Sequence, residues 1–107
     1  MFFVAKGKAE LELEEFDAVF GALAHEARRR VLIVLLSRGG EMTAGQIVER
    51  FNCAWPTMTR HLQILEAAAL IRVEKVGRER RYILNSQNLR RVAGGWLKWF
   101  EKEKNHE

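Results

Sequence analysis

The chain has 107 residues, 48% of them hydrophobic and 30% charged, with a net charge of +4 and a single Cys. That length suits one domain with a real core, and the composition excludes a disordered chain. One Cys excludes an intrachain disulfide framework and a multi-thiolate metal site, and it fits a reducing, cytoplasmic setting.

No apolar run approaches the roughly 18 residues of a membrane helix; the best, Val31 to Leu36, reads as core. The apolar start, Met1-Phe2-Phe3-Val4-Ala5, is too short for a signal peptide's apolar region of about 7–15 residues. The expectation is a basic single-domain protein, residues 1–107, with no membrane partner.

The single Pro, at position 56, leaves helix favoured almost throughout. Leu13, Phe16, Val19, Phe20 and Leu23 share one helical stripe, placing a first helix over about 11–24. A second runs from about Glu26 to Ser37 with Val31, Leu32, Leu35 and Leu36 inward, and Gly39-Gly40 stops it. Thr43-Ala44-Gly45-Gln46 reads as a capping box opening a short helix to about Phe51.

Pro56 suits the first turn of the next helix, Pro56 to Ala68. Its core side carries Met58, Leu62, Leu65 and Ala69; its opposite face carries Thr57, Thr59, Arg60 and Gln63. The period then shortens. Ile71, Val73 and Val76 alternate with charged residues, Gly77-Arg78 turns, and Arg81 to Leu84 returns as a β-hairpin. Ser86 can cap a last helix over about 86–104, with Leu89, Val92, Ala93, Trp96, Leu97 and Phe100 on one side. A short strand near Met42 is placed to pair with the hairpin. The fold class is mainly α with a small β-hairpin, in the order four helices, hairpin, helix. Two helices joined by a tight turn, with a basic hairpin after the second, describe a winged helix-turn-helix.

The charge is unevenly placed. Residues 1–17 hold two bases and five acids, whereas residues 54–91 hold eight bases and three acids. That stretch exceeds the surplus of the whole chain, and on charge alone it reads either as the electrostatic footprint of a nucleic-acid binder or as a solvated surface with ordinary charge fluctuation.

Four runs resemble the ArsR/SmtB-type bacterial winged-helix repressors. Ala22 to Leu32 is similar to the opening "ALADPTRRRIL", and Pro56 to Leu65 to the recognition helix "PTVSRHLKVL". Glu66 to Ile71 resembles "EAGLV", and Gly77 to Tyr82 the wing "GRRRYY". The resemblance spans about residues 11–84 and implies a repressor-type dimer on operator DNA. Two departures stand out. His25-Glu26-Ala27 replaces Asp-Pro-Thr, altering a helix cap, and Ala54-Trp55 replaces Ser-Gln before the recognition helix. Ala is a poor N-cap, costing about 1 kcal/mol against Ser. The paired thiols or Asp/His ligands of the metal-sensing members have no counterpart here, so a member without metal or other cofactor is expected.

An α-helix fits the major groove, so the polar face of the fourth helix is the expected reader. Arg60 is the candidate for a bidentate contact to guanine, against a phosphate contact or an intrachain ion pair. Thr57, Thr59 and Gln63 stand beside it. His61 is placed either to touch DNA or to pack at the helix edge, and Trp55 either to pack on the sugar–phosphate backbone or to anchor the core edge. In the wing, Arg72 to Leu84, the candidates for backbone or minor-groove contact are Arg78 and Arg80; Arg81 is expected to pair with Glu74. Arg28 to Arg30 read as structural, one of them paired with Glu26 or an acid of the first helix.

No catalytic constellation is visible, so no enzyme is expected. Cys53 has no C-x-x-C partner and reads as a small buried hydrophobe. Trp96, Trp99 and Phe100 crowd the last helix, and with Phe16 and Phe20 they form the expected homodimer interface, first helix and last helix together, against a core seam within one chain. Gly94-Gly95 beside them suggests a close backbone approach. The function expected is a dimeric, sequence-specific transcriptional regulator, a repressor on a palindromic operator in double-stranded DNA. A small-molecule effector between the long helices is compatible with this. The alternative is a winged-helix module that binds protein or RNA without operator specificity.

Overall fold

Five helices and three strands follow the expected order in the computed structural model, which describes residues 6–104 without the side chains of 102–104. The apolar start Met1–Ala5 lies outside the described residues. The helices are α1 (Lys8–Leu23), α2 (Glu26–Ser37), α3 (Ala44–Phe51), α4 (Trp55–Ala67) and α5 (Ser86–Lys104). The strands are β1 (Glu41–Thr43), β2 (Ile71–Val76) and β3 (Glu79–Leu84), in the antiparallel order β1-β3-β2.

Local chemistry explains the breaks. Gly39 and Gly40 have φ of 83° and 96°, and Gly40 N–H returns to the Leu35 carbonyl at 2.8 Å, closing α2. Thr43 caps α3 as the capping box requires: its hydroxyl accepts from Gln46 N–H at 3.2 Å, and its own N–H donates to the Gln46 side chain at 2.9 Å. The strand around Met42 forms as expected, with Met42 opposite Tyr82. Val76 pairs with Glu79 across the two-residue turn, where Gly77 takes φ 62°.

One buried cluster joins the elements. Leu35 of α2, Ile47 of α3, Leu65 of α4 and Leu70 are fully buried, and Val19, Val31, Met58, Ile71 and Val92 pack with them. Burying one such side chain contributes about 1.5–3 kcal/mol. The cluster anchors α4 by Met58, Leu62 and Leu65, so its polar face must turn outward.

Several local expectations change. Leu36 and Leu13 are exposed, because the stripes they extend are narrower than the periodicity suggests. Ala68, not Ala69, is buried: α4 ends at Ala67 and Ala69 turns left-handed at φ 57°. Leu70 N–H then reaches the Leu65 carbonyl at 3.0 Å, and Asn85 and Asn88 donate side-chain N–H groups to the Ala69 carbonyl. Asn85, rather than Ser86, caps α5, its Oδ1 accepting from Asn88 N–H at 3.3 Å. Arg81 pairs with Glu41 of β1, not with Glu74, which binds Arg72. Glu74 and Arg81 do face one another in register, but β1 brings a second acid to the other side of β3. Among the described residues a Cβ at Gly94 or Gly95 would meet nothing within 4 Å, so no close approach occurs there. Cys53 is half-buried at the edge of the core.

Candidate nucleic-acid interface

The polar face of α4 is set by its apolar one. With Met58, Leu62 and Leu65 buried, Trp55, Thr57, Arg60 and Gln63 stand exposed and Thr59 is half-buried. Ala54 precedes the helix without a side-chain cap, and Met58 N–H bonds its carbonyl at 3.1 Å. The first N–H groups of α4 therefore lack a side-chain acceptor from the N-cap, and they lie beside Thr57. Arg60 forms no ion pair or hydrogen bond among the described residues, so its guanidinium is available to an outside partner.

The wing lies on one flank of that face. Arg78 and Arg80 are exposed, and with Glu79 between them they line a cleft of about 360 Å³ together with Trp55, Thr43, Ala44 and Gly45. Trp55 is 54% exposed, so it is no core anchor; its indole stands between the start of α3 and the wing. Sequence reasoning named Trp55, Arg78 and Arg80 separately, and the fold gathers them in one cleft.

His61 is turned the other way. It is half-buried, its ring 4.6 Å from that of His25, and its Nδ1 lies 3.3 Å from an Arg28 nitrogen. Burial, then the nearby His25, Arg28 and Arg60, hold its pKa below the usual 6.5. His25 restores the helix cap that the sequence appeared to have lost, its Nδ1 accepting from Ala27 N–H at 3.1 Å. Of the three successive arginines, only Arg30 makes the expected ion pair, with Glu26 at 2.5 Å. Arg28 and Arg29 instead cap the end of α1: Arg28 donates to the Ala22 carbonyl at 2.8 Å and Arg29 to that of Leu23 at 2.8 Å. The signal for this was their place just after a helix C-terminus, where cations are favoured.

At the far end, Phe16, Phe20, Trp96, Trp99 and Phe100 line one apolar groove of about 440 Å³ between α1 and α5, with Leu13 and Asp17. Trp96 meets Phe20 and Phe100 edge to face. Arg91 of α5 binds Glu15 of α1, holding the two helices side by side.

A helix-turn-helix with a basic two-stranded wing is the architecture of winged-helix DNA-binding proteins. Comparison with known proteins agrees. Residues 23–74 match a family model described as a helix-turn-helix domain. The transcriptional repressor SdpR of Bacillus subtilis (strain 168) is 37% identical over 87 residues, 81% of this chain and 94% of that protein. A solved ArsR family transcriptional regulator superposes with a TM-score of 0.78 at 28% identity, over 97% of this chain and 99% of its own. A homodimeric winged helix-turn-helix DNA-binding domain from Mycobacterium bovis shares the fold, with a TM-score of 0.70 at 24% identity, covering 94% of this chain and 92% of that one. The chain belongs to the ArsR family of winged helix-turn-helix transcriptional regulators. Among the described residues no cluster of three or more His, Cys, Asp or Glu is placed to hold a metal ion, and no helix is long and apolar enough to cross a membrane.

Proposed function

We propose that the chain is a homodimeric, sequence-specific repressor acting on double-stranded DNA in the cytoplasm. The observation that carries this reading is Arg60, exposed and unpaired among the described residues, between Thr57 and Gln63 on a helix whose other face is locked into the core. In this reading α4 enters the major groove, Arg60 reads guanine, and Thr57, Thr59 and Gln63 contact neighbouring base edges or phosphates. Trp55, Arg78 and Arg80 take the adjacent backbone or minor groove. His61, facing Arg28 and His25, acts from inside the helix edge.

The apolar groove between α1 and α5 seats a second copy of the chain. Trp99 is 74% exposed and Phe100 54%, more aromatic surface than a lone small domain leaves to water. A two-fold dimer then presents two copies of α4, so the operator is an imperfect palindrome. Repression is the activity carried by the similar SdpR.

Fluorescence anisotropy with labelled random duplex DNA and single-stranded RNA, over a salt series, tests the class of ligand. Duplex DNA bound with a steep negative salt slope supports the reading. RNA bound in preference to duplex overturns it in favour of an RNA module.

A further inference from the structure

Arg28 makes bonds to two separate elements. Its Nε donates to the Ala22 carbonyl at 2.8 Å and its Nη2 to the Gly21 carbonyl at 3.3 Å, both at the C-terminal end of α1. Its Nη1 lies 3.3 Å from His61 Nδ1, on α4. A guanidinium only donates, so this contact is a hydrogen bond only while His61 Nδ1 accepts. His25 Nδ1 also accepts a hydrogen bond, from the Ala27 N–H at 3.1 Å. The neighbours of His61 are therefore His25 from the start of α2, Arg28 from α2 and Arg60 from α4 itself. Glu26 lines the same groove with its carboxylate on Arg30, and Cys53 and Thr57 complete the wall.

We propose that Arg28 is a positioning residue for DNA recognition, tying the end of α1 to the recognition helix through the neutral imidazole of His61. The proposal rests on the reading of α4 as the DNA-reading helix. Phe20, at the aromatic groove, precedes Gly21 directly in α1, and Arg60 precedes His61 directly in α4. The guanidinium thus spans from the proposed dimer helix to the residue beside the proposed base reader. It contacts no DNA itself; it sets how α4 is held against α1 and α2. Protonation of His61 removes the acceptor and sets a cation against Arg28 and Arg60, so the tie is pH-sensitive.

The test uses His61→Leu, which removes the acceptor, His61→Gln, which keeps an acceptor and does not titrate, and Arg28→Ala. For each, affinity is measured for a selected duplex and for random duplex, and amide exchange along α4 and α5 is measured without DNA. His61→Leu and Arg28→Ala are expected to lower the selected-to-random ratio about tenfold, the loss of one hydrogen bond to a charged group. They are also expected to speed exchange in α4 more than in α5. His61→Gln is expected to stay within about threefold of the parent, and its ratio to stay flat between about pH 8 and 5.5 while the parent's falls. A His61→Leu variant with parental ratio and parental α4 exchange overturns the proposal, as does a His61→Gln variant as impaired as His61→Leu. If the parent prefers no duplex sequence, the DNA reading fails, and α4 exchange alone decides the tie. Should Arg28→Ala not fold, the two His61 variants carry the test.

Discussion

Phe20 and Trp96 meet edge to face across α1 and α5, ring centroids 5.2 Å apart, yet both rings remain partly in water. Edge-to-face geometry is the favourable arrangement for two aromatic rings and holds this wall of the groove in shape. A preformed wall costs little ordering when a second copy docks on it. Trp99, 74% exposed, lies at the mouth.

Trp99→Glu should therefore disrupt assembly more than folding. Two copies of an exposed aromatic are lost per dimer, and an interface aromatic that acts as an anchor contributes about 2 kcal/mol or more. The dimer dissociation constant is expected to rise at least about a hundredfold. Analytical ultracentrifugation at micromolar concentration reads this directly, with thermal unfolding of the variant as the control for the fold. A parent chain that sediments as a monomer contradicts the assignment of the groove.

Arg78→Ala acts on the other ligand. In the wing the side chain is exposed, and in the proposed function it takes the adjacent backbone or minor groove, with phosphate the contact to test. Its loss should weaken all duplex sequences alike and reduce the salt slope by about 1 for each contact removed. A change in base preference with an unchanged salt slope would move Arg78 from phosphate to base reading.

His61 makes stability depend on pH. Its pKa in the folded chain is held below 6.5 by burial first, then by His25, Arg28 and Arg60. Between that lowered value and 6.5 the unfolded chain binds more protons than the folded one, so stability rises with pH there. The contribution is complete above about 6.5 and is lost as pH falls through the folded value. The Tm should drop from pH 7 towards pH 5, and His61→Gln should remove part of the drop. Equal drops in parent and variant would remove His61 as the cause.

Ala69 offers a stabilising change. It is exposed and has φ 57°, where an L side chain is crowded by about 1–2 kcal/mol. Glycine removes that crowding but frees the unfolded chain, so Ala69→Gly should gain roughly 0.5–1 kcal/mol by urea unfolding. A loss of stability would mean that the corner needs the methyl group.

The periodicity of Met58, Leu62 and Leu65 and the Thr43–Gln46 capping box were legible because each is local: a few residues carry the whole signal. So was the hairpin, whose turn depends on Gly77. What could not be read depended on partners distant in sequence. Arg81 has Glu74 opposite it in the hairpin, but β1, forty residues earlier, brings Glu41, and that acid takes the guanidinium. The role of His25 as a cap was hidden because its residue type is an unusual one there, although its ring nitrogen accepts as an Asp oxygen would. Arg28 looked like one of three similar charges. Only the packing of α4 against α2 places His61 beside it. The aromatic stripe of α5 was plain in the sequence, as was its partnership with Phe16 and Phe20 of α1, and the fold lines one groove with all five.

Selecting bound sequences from random duplex DNA, with the parent and Arg60→Ala in parallel, tests the central claim most directly. The parent should enrich an imperfect palindrome whose half-sites lie about one helical turn, ~34–36 Å, apart. Arg60→Ala should lose preference at one guanine position in each half-site, a discrimination of about 1–3 kcal/mol, with the remaining positions intact. No enriched sequence from the parent, or the same sequence from both proteins, would contradict the assignment of α4 as the reading helix.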